Sequence, residues 1–138
     1  MLFRSVQLGT RFVATDECDA DPAFKNKFVS AVENDIVVIK SPVGMPGRAI
    51  RNQFLDAVEN GKKAPLQCPF HCIRTCNPEK SPYCIASALA NARKGKFTYG
   101  FAFAGQNAHR VEKIVPVKEM MAELKCEYVE TVRKQLLN

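Results

Sequence analysis

What most constrains the fold of this chain is its shortage of strands. The clearest strand signal is Ile36-Val37-Val38-Ile39-Lys40, which opens with four β-branched residues in a row, side chains that fit a pleated, half-buried surface. Val6-Gln7-Leu8, ending at Gly9, reads as a second, short strand. Tyr99 to Gly105 is the third candidate, as a strand or an extended loop. Against these stand about five helical segments. Asp21-Pro22 is an N-cap followed by proline at the first helical position, and Phe24, Phe28, Val29 and Val32 at helical spacing extend an amphipathic helix over 22–33. The loop Ser41-Pro42-Val43-Gly44-Met45-Pro46-Gly47 is expected to lead into a helix over 48–59, with Ile50, Phe54, Leu55 and Val58 inward and Asn60-Gly61 closing it. Ser81-Pro82 opens another over 83–92, and 117–137 forms a long terminal helix. Its stripe of Met120, Met121, Leu124, Tyr128, Val132 and Leu136 is expected to pack against the body of the protein. A helix-covered parallel sheet normally needs more strands than this. With 138 residues, the chain is also well short of the roughly 250 that a complete (β/α)₈ barrel takes.

Composition narrows the function classes. The formal charge of +6 raises the question of nucleic acid. The basic residues are dispersed, however (Lys25 and Lys27, Arg48 and Arg51, Lys62 and Lys63, Arg93 to Lys96, Arg133 and Lys134), acidic residues break up nearly every group, and no aromatic ladder alternates with them. A nucleic-acid surface concentrates charge on one face. A solvated surface with some attraction for phosphate-bearing ligands is the better expectation. The longest apolar runs, Ile36–Ile39 and Cys84–Ala90, fall far short of the ~20 residues of a membrane span. Met1-Leu2-Phe3-Arg4-Ser5 carries no secretory h-region, so a cytoplasmic location and no membrane partner are expected.

Three stretches carry a resemblance. They are Val6-Gln7-Leu8-Gly9-Thr10-Arg11-Phe12-Val13-Ala14-Thr15, then Ser41-Pro42-Val43-Gly44-Met45-Pro46-Gly47-Arg48-Ala49-Ile50-Arg51-Asn52, and Phe103-Ala104-Gly105-Gln106-Asn107-Ala108. In order and spacing they resemble the C-terminal third of nitronate monooxygenase (2-nitropropane dioxygenase) flavoproteins, from Val6 to about Tyr128. The first stretch is also similar to the flavin-dependent enoyl-ACP reductases. The resemblance implies an α/β fold: the C-terminal part of a (β/α)₈ (TIM) barrel, its last strand followed by a helix-rich extension, the barrel incomplete. On that basis 1–5 is expected to be a non-native start, 6–60 the last barrel strand with the helix, strand and helix that follow, and 61–138 a cysteine-containing helical region. Implied too is FMN as cofactor in an oxidoreductase that converts alkyl nitronates, with O₂, into a carbonyl compound and nitrite, the alternative being enoyl-ACP reduction.

The resemblance places FMN contacts on Gln7, Leu8, Gly9 and Thr10, and the physical chemistry agrees. In (β/α)₈ enzymes a phosphate commonly sits on the loops after strands seven and eight. A glycine there lets the backbone come close to an anion, and amide N–H groups with the Thr10 hydroxyl can donate to phosphate oxygens. Gln106 resembles a family residue returning toward the flavin, where its amide could bond the ring or the substrate. Arg48 and Arg51 read either as a wall near the active-site mouth or as the solvent face of a helix. The family's general base is a histidine in the barrel portion upstream. Neither His71 nor His109 sits in a matching motif, so no catalytic residue is assigned, and the chain alone is not expected to turn over substrate.

Cys68, Cys72, Cys76 and Cys84 stand apart from the resemblance. Their C-x₃-C-x₃-C-x₇-C spacing would stack the first three on one face of a helical turn opened by Pro69, with Cys84 returning on the next helix. Four thiolates so placed could hold Zn²⁺ or an iron–sulfur cluster. This Cys₄ metal module is the competing class. The alternative is a set of reduced, partly buried thiols, and Cys18 and Cys126 are most simply structural.

Overall fold

A computed structural model describes residues 8–62, 68, 72, 74 and 76–137. The elements are α1 (Thr10–Val13), α2 (Pro22–Val29), β1 (Ile36–Lys40), β2 (Pro46–Ile50), α3 (Gln53–Glu59), α4 (Ile85–Arg93) and α5 (Val117–Leu136), with short 3₁₀ turns at Glu33–Asp35, Phe97–Tyr99 and Ala108–Arg110.

The expected strand at 36–40 is present and pairs antiparallel with β2, in register from Ile36↔Ile50 to Lys40↔Pro46. The turn between them closes with Gly44 N–H on the Ser41 carbonyl at 3.0 Å. Gly44 takes φ +92° there, a conformation that costs a residue without Cβ little. β2 corrects the expected helix from 48. Arg48 to Ile50 are strand, and the helix begins only at Gln53. Ile50 fitted the helical spacing but reaches the core from a strand. The element switches where Asn52, in extended backbone, accepts the Leu55 N–H on its side-chain oxygen at 3.0 Å.

The extended stretch expected near 99–105 lies along the other side of β2. The Ile50 N–H donates to Ala102 O and the Ala104 N–H to Arg48 O, both at 3.0 Å, and Ala49 and Phe103 form an antiparallel bridge. Successive strand residues point to opposite faces, so this central layer divides two cores. Ile50 and Ala102 face one, with Phe28, Ala31 and Ala108. Ala49 and Phe101 face the other, with Leu55, Tyr83 and Ala88. Helix α2 thus covers one face, and α3 with α4 the other. In the second core, Tyr83 and Phe101 meet edge-on at 5.8 Å and Phe54 and Tyr83 at 5.2 Å. Burial there pushes the Tyr83 phenol up to about 12, because the charged form loses its hydration.

Helix α2 starts as expected, Asp21 accepting the Ala23 N–H at 2.8 Å, but ends at Val29 rather than continuing to Glu33. Helix α5 differs more in its packing than in its bounds. Of the expected stripe only Met120 is buried, while Tyr128 is 71% and Leu136 80% exposed. A 20-residue helix is roughly 30 Å long and outruns the body it starts on. Its apolar period is real, but only the first turns meet a partner among the described residues. No helix among them is long and apolar enough to cross a membrane.

Candidate functional site: a cleft joining Thr10 to Gly105

Helix α1 is a single turn, too short to persist by its own hydrogen bonds, and distant segments hold it. Behind it Thr15 bridges Val115 in parallel, with the Asp16 N–H on Val115 O at 3.2 Å. Glu17 accepts the Val117 N–H on both carboxylate oxygens, at 3.1 and 2.9 Å, so it caps the start of α5 from a hundred residues away. Lys25 places its ammonium on the carbonyls of Thr15 (3.0 Å), Asp16 (3.4 Å) and Cys18 (3.2 Å), satisfying three acceptors of the turn after α1. On the helix itself, the Arg11 guanidinium meets Glu123 of α5 at 2.7 Å.

In front of α1, the Gly105 N–H donates to Thr10 Oγ1 at 2.8 Å. A Cβ on residue 105 would stand only 3.1 Å from that oxygen, so the absence of a side chain makes room for this approach. Gly105 O in turn accepts the Ala108 N–H at 3.1 Å, which starts the 3₁₀ turn Ala108–Arg110. Two segments 95 residues apart are thereby fastened along one edge of an open cleft of about 950 Å³.

Leu8, Gly9, Thr10 and Gln106, all expected at the cofactor, line this single cleft. Gln7 lies outside the described residues. The residues present fit a phosphate-bearing cofactor. Thr10 Oγ1 accepts from Gly105, which leaves the hydroxyl hydrogen to donate. Leaving aside its chain neighbours, no heavy atom among the described residues lies within 4 Å of the point where a Gly9 side chain would begin, so that backbone offers close approach to an anion. The volume is within the roughly 300–1,000 Å³ usual for ligand sites.

The lining is formally neutral, with Arg11, Arg110 and Lys113 against Glu112, Glu123 and Glu127. The charges are not equally committed. Arg11 is held by Glu123, and Lys113 by Glu119 at 2.8 Å and Glu123 at 3.8 Å. The hydrogen bond to Glu119, reinforced by its charge, holds the Lys113 ammonium above its ordinary pKa. Lys113 and Arg110 were not singled out from the sequence. The signal available was their position within a few residues of Gly105-Gln106.

Arg48 and Arg51 do not line the cleft. Arg51 pairs with Asp56 at 2.8 Å and Glu59 at 3.8 Å, and Arg48 is exposed on β2, which favours the solvent-face alternative. His109 is also absent from the lining, its Nδ1 buried without a hydrogen-bond partner among the described residues. His71 and Pro69 lie outside those residues.

The cysteine expectation finds no support among the described residues. Cys68, Cys72 and Cys76 are not helical, so the i, i+4, i+8 stacking that would have aligned them does not form. Cys72 is exposed, Cys76 Sγ sits 3.7 Å from Ser81 Oγ, and Cys84 is the residue before α4. Among the described residues, no three His, Cys, Asp or Glu side chains are placed to hold a metal ion, which leaves Zn²⁺ or an iron–sulfur cluster without support.

Known proteins repeat this arrangement of segments. The chain is 23% identical over 128 residues to a putative monooxygenase of Mycobacterium tuberculosis, covering 92% of this chain and 33% of that protein. It is 27% identical over 113 residues to a probable nitronate monooxygenase of Staphylococcus saprophyticus, covering 78% and 28%. It therefore spans about a third of the length of these curated relatives. Its backbone superposes on FabK from Thermotoga maritima with a TM-score of 0.75 at 31% identity, covering 95% of this chain and 39% of that one. A mutant of the same FabK gives 0.72 at 29%. The fold is accordingly α/β, part of a (β/α)₈ barrel. Residues 4–127 match the nitronate monooxygenase family, and the chain belongs to that family.

Proposed function

We propose that this chain forms the phosphate-holding wall of an FMN-dependent oxidoreductase of the nitronate monooxygenase type, which oxidises alkyl nitronates with O₂ to a carbonyl compound and nitrite. The observation that carries this is the hydrogen bond from Gly105 N–H to Thr10 Oγ1, which joins two of the three family-like stretches at one cleft. When bound, FMN supplies the electron-transfer chemistry. The residues here bind and orient it. Leu8 and Gly9 offer close backbone approach, Thr10 donates its hydroxyl hydrogen to a phosphate oxygen, and Gln106, exposed at the cleft, offers an amide to the ring or the substrate. No residue of the chain is assigned as general base.

Thr10→Val removes that donor, and with it the acceptor of the Gly105 N–H, while keeping the side-chain shape. It is expected to weaken FMN binding by the full chain about tenfold, the low end for a hydrogen bond to a charged group, with the circular dichroism spectrum unchanged. Unaltered affinity, followed by flavin fluorescence, would remove Thr10 from the site.

The likeness to FabK favours a second reading, a flavin-dependent enoyl-ACP reductase. The protein in the form its cell makes, loaded with FMN, is expected to release nitrite from an alkyl nitronate. NAD(P)H-dependent reduction of an enoyl thioester without nitrite release would decide for the second.

A further inference from the structure

Of the three cations lining the cleft, two are already engaged: Arg11 by Glu123, and Lys113 by Glu119 and Glu123. Arg110 is exposed and forms no ion pair among the described residues. Its place follows from the clamp. Gly105 is bonded to Thr10, Ala108 N–H returns to Gly105 O, and the Arg110 N–H closes the same turn on Asn107 O at 3.1 Å. Among the described residues, the one cation of the lining outside an ion pair is thus carried on the turn that continues directly from Gly105, in the cleft that Gly9 and Thr10 also line.

We propose that Arg110 is the residue that makes this cleft select a phosphate monoester over a neutral ligand of the same shape. The inference rests on the FMN reading above and assigns its charge recognition to a single side chain. A phosphate monoester carries about −1.5 to −2 near neutral pH, and backbone amides with one hydroxyl offset only part of that. The described lining is formally neutral with Arg110 and carries one net negative charge without it, so the loss of this residue disfavours a dianion in the cleft. A guanidinium also presents a planar fork of donors that suits two phosphate oxygens at once.

The test uses the full chain, labelled with ¹⁵N, and three probes: inorganic phosphate, FMN, and riboflavin, which lacks the phosphate. In the parent, phosphate and FMN are expected to move the amide resonances of Gly9, Thr10 and Gly105. Arg110→Gln is expected to weaken both about tenfold and to leave riboflavin unchanged. Arg110→Lys keeps the charge but loses the planar fork, and is expected to bind phosphate and FMN more weakly than the parent and more tightly than Arg110→Gln. Added salt is expected to weaken FMN binding more in the parent than in Arg110→Gln, since an exposed charge is screened. Parent-like binding of phosphate and FMN by Arg110→Gln would overturn the inference and leave the FMN reading standing. Equal loss of FMN and riboflavin would overturn it by showing a merely structural role. A parent that responds to none of the three probes would bring down the FMN reading, and this inference with it.

Discussion

Replacing Gly100 with alanine is expected to cost the protein about 3 kcal/mol or more, enough to lower its melting temperature by roughly 10 °C for a chain of this size. Gly100 is buried in extended backbone, φ −169° and ψ 178°, so its dihedrals suit any residue. The reason for glycine is space. A Cβ there would stand 1.9 Å from the Ala88 carbonyl oxygen and 3.1 Å from the Ala92 nitrogen. Both belong to the backbone of α4, which cannot yield as the tip of a side chain would. Either α4 is pushed off the central layer, opening the core around Phe101 and Tyr83, or residues 97–100 withdraw and break the pairing of 101–104 with β2. Stabilities of whole domains are roughly 5–15 kcal/mol, so a poorly folding product is also consistent with this result. Thermal unfolding followed by circular dichroism is the measurement. A variant melting within about 2 °C of the parent would mean that α4 does not approach Gly100 this closely.

That contact shows why parts of the fold were legible in the sequence and others were not. Strand β1 could be read because four β-branched residues leave little choice. Helix α2 could be read because Asp21-Pro22 specifies its first turn locally. Strand β2 could not, since Pro46-Gly47-Arg48 has no strand propensity and its pairing comes from β1 on one side and residues 102–104 on the other. Gly47 carries the trace of that environment: a Cβ there would fall 2.5 Å from the Phe103 ring, a neighbour 56 residues on that no local pattern discloses. The cleft divides in the same way. Gly9-Thr10 and Gly105-Gln106 were visible separately, as motif-like stretches. Their hydrogen bond belongs to tertiary structure, as does the pairing of Arg11 and Lys113 that leaves Arg110 without an ion pair among the described residues. The cysteine spacing is regular, but regular spacing suggests convergence only where the chain is helical, and Cys68, Cys72 and Cys76 are not in helix.

Asn52 unites the two levels, and Asn52→Ala is expected to cost about 3 kcal/mol. The side-chain oxygen caps α3 through the Leu55 N–H, an interaction that contributes ~1 kcal/mol. The side-chain nitrogen donates to Gly100 O at 2.8 Å and to Phe97 O at 3.3 Å. Its loss leaves a carbonyl of a buried residue unpaired, which costs a further ~1–3 kcal/mol. Asn52→Asp separates the two roles. Aspartate caps a helix as well as asparagine does but has no donor for the carbonyls, and it sets an acceptor against them. If the tether to Phe97 and Gly100 dominates, Asn52→Asp should melt nearly as low as Asn52→Ala, both roughly 10 °C below the parent. If the cap alone mattered, Asn52→Asp would melt with the parent. The first outcome would also tie the family-like stretch 41–52 to the stretch 103–108 through Asn52. That residue fixes the start of the segment that runs through 101–104 to Gly105, and so fixes where Gly105 meets Thr10.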